Sequence, residues 1–236
     1  MLTQILFYLN AYFKCLPTRF KRLGRHFWRI TTIFKVENLK ISSFFRYFYN
    51  TLILILEISG IGEFYELFHL IFKKNTRHLT SREKQEAQLV FGESLCYDRI
   101  LVDEKAVIGC KKGHFAYVSF YIINHWGNLE DSHLIHELAH IWQYEQLGAR
   151  YMPQAILAQQ SAAGYNYGGI STLKTYQAAG KNDLIYFNLE QQAEILTDYY
   201  RLLKGRRPQY GDATTDDTAM YARFLNRLNK RDAPLK

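Results

Sequence analysis

The sequence predicts an α+β fold: a basic helical extension, then a domain in which a small sheet precedes two chemically loaded helices. Three observations carry this. Segments rich in β-branched and aromatic residues cluster between residues 99 and 123. The long helical patterns follow, and the first contains His136-Glu137-Leu138-Ala139-His140. Net positive charge sits at the front of the chain. Residues 1–46 hold Lys14, Arg19, Lys21, Arg22, Arg25, Arg29, Lys35, Lys40 and Arg46 against Glu37 alone, which is the whole formal net charge of +8. Strands that come before helices, without alternating with them, indicate segregated layers. A length of 236 residues suits one ordinary domain with an appendage, and 48% hydrophobic residues can fill its core.

In chain order, residues 1–13 (MLTQILFYLNAYF) are apolar but too short to span a bilayer. The positive charges follow that stretch and no small-residue cleavage site is present, so it does not read as a classical signal peptide. A second apolar stretch, Tyr49 to Leu56, is interrupted by Glu57, Glu63 and Glu66, so no transmembrane helix is expected. Phe20, Phe27, Trp28, Ile33 and Phe34 interleave with Lys21, Arg22, Arg25 and Arg29. That mixture suits a helical arm that packs on its own domain behind a solvated basic face. It also suits an interfacial segment drawn to anionic lipid and weakened by salt, or one docked on a partner. No nucleic-acid motif accompanies the charge, so nucleic acid is not an expected partner. The expected location is cytoplasmic or peripheral to a membrane, with the contact made through residues 1–46. Phe64, Leu67, Phe68 and Ile71 recur at helical spacing over 61–73 and close the extension, taken as residues 1–72. Lys73 to His78 reads as a linker.

The domain proper is expected over residues 79–236. Thr80 and Glu83 form a capping box for a helix over about 81–91, which Gly92 stops. Strands are expected at Arg99–Val102 and Ala106–Ile108, with a long one at Phe115–Ile123 placed to pair with an extended peptide. Asn124 to Glu130 reads as a loop. Asp131 or Ser132 caps the motif helix and Gly148 ends it. Gly164, Gly168 and Gly169 mark turns around Tyr165-Asn166-Tyr167. Helices follow over 188–204 and about 215–229. Cys15, Cys96 and Cys110 are too widely spaced for a metal or disulfide pattern and read as reduced thiols.

Chemistry concentrates in the H-E-x-x-H segment. Histidines at i and i+4 share one helix face and can bind one metal ion, Zn2+ above all, while the intervening Glu137 acts on the attacking water. Such a catalytic site needs a third protein ligand and an open position. An extended motif with a third histidine is excluded, because Gln143 and Gln146 stand where its Gly and His would be. A carboxylate from the 188–204 helix remains. Glu190, Glu194 and Asp198 lie on one face there. The first or the second could bind the metal, and the acid four residues on could hold a ligating histidine by its other ring nitrogen. Tyr165 or Tyr167 could steady an oxyanion, although packing of an aromatic turn explains both. His133 reads as a surface residue and Trp142 as core. His114 and His125 read as loop residues and Glu145 as solvated.

The segments LIHELAHIWQ, YNY and FNLEQQAEILTDYY, with LTSREKQEAQLVFGESLCYDRILV before them, resemble a bacterial family of zincin-like metallopeptidases. Its hallmark is H-E-L-T-H-V-W-Q followed by an E-Q-Q-A helix, and it is described beside spike and Rhs proteins of contractile, type VI-like secretion systems. The resemblance covers residues 79–204; Ala139 replaces the hallmark Thr. It implies a glutamate-zincin domain whose zinc is held by His136, His140 and Glu190, with Glu194 behind a histidine and Glu137 catalytic. A thermolysin-like reading instead gives Glu194 as ligand and Asp198 as its neighbour. Ala193, where the first pattern wants a small residue, favours Glu190. The implied activity is zinc-dependent hydrolysis of a peptide or protein substrate. The alternative is a non-catalytic zincin-like adaptor or binding module of a secretion apparatus.

Overall fold

The computed structural model describes residues 2–33, 41–107, 110–113 and 116–228. The chain divides into two compact units. One comprises residues 1–74 with 148–150, the other residues 75–147 and 151–236. The division after Lys74 falls within the span read as a linker.

The first unit is three helices: α1 (Leu2–Ile33), α2 (Ile41–Ile58) and α3 (Ile61–Phe72). Gly60 joins α2 to α3 at φ +81, and a Cβ there would lie 3.0 Å from the Tyr12 ring, so the turn needs glycine. Tyr12 fastens the same turn by donating to the Ile58 carbonyl at 2.8 Å. The interior of this unit is polar. Arg19, Arg22, His26, Glu57, Glu63, Glu66 and His69 are buried. Among the described residues of α1–α3, only Tyr8 and Leu54 are buried large apolar side chains. This departs in part from one expectation: of the basic residues read as a solvated face, Lys21 and Arg25 are exposed but Arg22 is buried. Arg19 pairs with Glu63 and Arg22 with Glu57, each at 2.5 Å. On α3, Phe64, Phe68 and Ile71 face outward, while Glu63, Glu66 and His69 face in. The side chains of Arg29, Ile33, Phe34, Lys35, Lys40 and Arg46 lie outside the described residues. No helix among the described residues is long and apolar enough to cross a membrane.

The second unit is α+β, with a small mixed sheet. β1 (Thr76–His78), β2 (Leu101–Asp103), β3 (Tyr117–Ser119) and β4 (Ile122–Asn124) are ordered β1-β2-β4-β3. β2 runs parallel to β4; the other pairs are antiparallel. Two strand expectations change. Part of the linker, Thr76–His78, is the edge strand β1. The long strand expected from 115 to 123 is a tight hairpin, with Tyr117 opposite Asn124 and Phe120 at φ +59 between the arms. Alternating apolar character fits a continuous strand and a hairpin of two short ones equally, so periodicity did not separate them. Ala106 lies in no strand, and Ile108, His114 and Phe115 lie outside the described residues.

Helices α4 (Ser81–Phe91), α5 (Cys110–Gly113), α6 (Asp131–Leu147), α7 (Tyr151–Gln159), α8 (Gly169–Ala178), α9 (Leu189–Leu203) and α10 (Thr218–Phe224) complete the unit. α4 has the predicted bounds and its Thr80–Glu83 capping box. α7 and α8 were not anticipated, and the last expected helix is α10 flanked by two 3-10 turns. α6 is buried almost all round, with Leu134, Ile135, Leu138 and Trp142 in the core. It packs against α9, on which Ala193, Ile195 and Leu196 are fully buried. Apolar burial of this kind fixes the α6–α9 crossing, and polar residues at the crossing must then satisfy one another.

Candidate metal centre

α6 supplies His136 and His140 one turn apart, with ring centroids 4.9 Å from each other. α9 supplies Glu190 from its first turn. Its start is set by a capping box in which Asn188 accepts from the Gln191 N–H and Gln191 accepts in return. A carboxylate at that position is favoured by the positive end of the helix dipole. The three residues are buried, and one ligand atom of each lies within 4.8 Å of the others.

Two of the three ligand-atom separations fit a metal site. Glu190 Oε2 is 3.4 Å from His136 Nε2 and 3.5 Å from His140 Nε2. Tetrahedral N and O ligands at about 2.0–2.2 Å from a zinc ion stand roughly 3.3–3.5 Å apart. Glu190 Oε2 is also a buried oxygen that makes no hydrogen bond. The far ring nitrogens are fixed as well. His136 Nδ1 lies 3.0 Å from Glu194 Oε1, an ion-pair contact without hydrogen-bond geometry. Gln143 donates its amide N–H groups to the Leu189 carbonyl at 2.8 Å and to Gln192 Oε1 at 3.2 Å. Its own Oε1 must then face His140 Nδ1, at 2.9 Å, and accept from it. Each histidine thus has Nδ1 beside an outer oxygen and Nε2 toward Glu190, the arrangement that orients ligating imidazoles.

Charge in the centre is strongly coupled. Burial alone disfavours a charged His136, but Glu190 and Glu194 together outweigh it and push its pKa up to about 10. Burial likewise opposes ionisation of Glu190, yet the two histidines hold it at about 2. Three basic atoms thus compete for a cation, be it a proton or a metal ion. Glu137 lies beside them, buried, with an oxygen that makes no hydrogen bond. Burial raises its pKa, against the opposing pull of His136 and His140.

The remaining candidates separate cleanly. Glu194 is not in the convergent set; it lies behind His136, with Arg201 Nη1 3.5 Å from its second oxygen. Asp198 is fully buried and saturated. It accepts from Tyr167 at 2.6 Å, Arg201 at 2.7 Å, and the N–H groups of Gln209 and Tyr210 at 2.6 and 3.3 Å. Tyr167 is spent on that network and on Tyr221, 2.7 Å away, so its part is packing. Tyr165 is different. Its ring centroid is 5.9 Å from that of His136, and its phenol oxygen accepts from Gln159, which leaves its own proton for another acceptor. Glu145 is not solvated; it accepts the Cys96 N–H at 2.9 Å. His133 is exposed and Trp142 fully buried, as expected. His125 is buried next to β4 and outside the cluster. Gln143, Gln192 and Arg201 escaped the sequence reading as site residues. Gln143 carried a signal, since it follows His140 by three residues on one helix and must neighbour it.

The site defines a candidate mononuclear metal centre with two nitrogen donors and one oxygen donor. No family model, curated protein or solved structure matches the chain.

Proposed function

We propose that the second unit is a zincin-like, zinc-dependent peptide-bond hydrolase, with His136, His140 and Glu190 as ligands and Glu137 as general base. The observation that carries this reading is the convergence of three buried ligand atoms, with Glu137 beside them. Two nitrogens and one carboxylate oxygen suit zinc, and three protein ligands leave a position open. Zinc bound there would lower the pKa of its water toward neutrality and polarise a substrate carbonyl. Glu137, with its raised pKa, takes the proton of the attacking water and hands it to the leaving amine. Glu194 and Gln143 keep the histidine Nε2 atoms aimed inward throughout. Tyr165 offers its phenol proton to the carbonyl oxygen as charge develops there. The likeness of residues 79–204 to zincin-like proteins found beside contractile secretion systems supports the same reading and suggests a link to such an apparatus.

The test is metal content together with peptide cleavage. The purified chain should hold about one zinc ion, and His136→Ala or His140→Ala should weaken it about a thousandfold, roughly a third of the free energy of a strong zinc site. Glu190→Gln should weaken zinc strongly and Glu194→Gln less; the opposite order would make Glu194 the ligand. Glu137→Gln should retain zinc and lose cleavage of any peptide in an unbiased library. A library left intact by the zinc-loaded chain would make the site a non-catalytic adaptor element.

A further inference from the structure

The helices α1–α3 carry an inverted distribution of polarity. Of the 27 exposed large apolar side chains among the described residues, 20 lie on these three helices. On α2, Phe44, Phe48, Leu52 and Leu56 repeat every four residues down an exposed face, with Phe45 and Ile55 flanking them. On α3 the exposed row is Phe64, Phe68 and Phe72. On α1, Leu2, Leu6, Leu9, Phe13, Phe20 and Phe27 recur at steps of three, four and seven, which keeps them on one face. Exposed Lys14, Lys21 and Arg25 form the adjoining row. Meanwhile the Arg19–Glu63 and Arg22–Glu57 pairs are inside.

We propose that α1–α3 form an inside-out helical unit seated in one leaflet of a lipid bilayer, with apolar faces toward the acyl chains and the Lys14–Lys21–Arg25 row toward anionic headgroups. In water each arrangement is costly: large apolar side chains stay wet and ion pairs are stripped of solvent. In hydrocarbon the apolar faces are solvated by acyl chains, and ionisable groups at membrane depth face the bundle interior and pair there. The apolar rows occur on all three helices, which suits a fluid that wraps the unit better than a partner that meets one patch. Helix length sets the depth. At 1.5 Å per residue, α2 with 18 residues and α3 with 12 are about 27 and 18 Å long, short of the roughly 30 Å hydrocarbon core. The row of bases beside the apolar row on α1 is the pattern of a helix lying in the interface. Attachment is therefore apolar first and electrostatic second.

The experiment is flotation of the full chain with vesicles of phosphatidylcholine alone and with phosphatidylserine added, followed by washes in about 1 M salt and in alkaline carbonate. The chain should float with both compositions, more fully with phosphatidylserine, and stay after both washes until detergent is added. Release by salt would overturn the proposal in favour of a surface electrostatic contact. Failure to float, with a defined dimer in detergent-free solution, would overturn it in favour of a second copy covering these faces. A Phe48→Ser/Phe68→Ser variant touches none of the buried pairs. It should keep wild-type helix content and lose at least about tenfold in vesicle partitioning; unchanged partitioning would also overturn the proposal.

Discussion

The two units each bury a cluster of charged and titratable groups, and they resolve the cost in opposite ways. In the first, Arg19 pairs with Glu63 and Arg22 with Glu57, cation against anion. In the second, the outer ring nitrogens of His136 and His140 lie beside Glu194 and Gln143, and one ligand atom each from His136, His140 and Glu190 converge. The first cluster is built on ion pairs between cations and anions; the second is built on histidines and carboxylates that could hold a metal ion. Buried charge in a fold is thus informative less by its presence than by its balance: a matched set points to architecture, a deficit to a ligand.

That contrast can be broken most sharply in the first unit. Glu63→Leu removes the 2.5 Å partner of Arg19, leaving Glu57 at 3.9 Å, and should destabilise the helices by about 3 kcal/mol, read by chemical denaturation followed by circular dichroism. Adding Arg19→Met should recover most of the loss, because a matched pair exchanged for apolar groups is close to neutral. If the double variant is as unstable as the single, the pair holds more than charge balance.

A smaller effect is expected behind the metal site. Gln143→Leu leaves every ligand in place but frees the His140 ring, and should weaken metal binding by about 10- to 100-fold in a competition titration. Unchanged affinity would mean that helix packing alone orients the ring.

Titration separates the clusters again. The His136 pKa is raised from 6.5 to about 10, so in chelator-treated protein its stabilising contribution is complete below about 6.5 and lost as pH rises through 10. Glu190 is lowered from 4.5 to about 2, so its contribution is present above 4.5 and lost as pH falls toward 2. The melting temperature of metal-free protein should therefore fall by several degrees at both extremes, and zinc should remove the alkaline loss. An alkaline fall of equal size with zinc bound would place its origin elsewhere, since the arginines of the first unit do not titrate there.

The smallest change is a control. Thr80→Ala removes a helix cap whose partner is Glu83 and should cost about 1 kcal/mol, with metal affinity unaltered.

Local rules made much of the site legible in advance. The i, i+4 spacing of His136 and His140 puts them together on any helix, and Thr80 with Glu83 dictates where α4 starts whatever surrounds it. Glu190, Glu194 and Asp198 share one face of α9 for the same reason. Which of the three meets the histidines was decided by the α6–α9 crossing. That crossing is set by apolar burial of residues such as Trp142 and Leu196, far apart in sequence, and no spacing rule contains it. Phe120 turning at positive φ likewise split a segment that alternation alone left as one strand. The first unit shows the deepest limit. Periodicity placed Phe64, Leu67, Phe68 and Ile71 along one stretch of α3 but could not say whether that side was inside, because this depends on what the neighbouring helices present. Tertiary packing settled it by matching Arg19 and Arg22 to acids on α2 and α3, which leaves the phenylalanines outward.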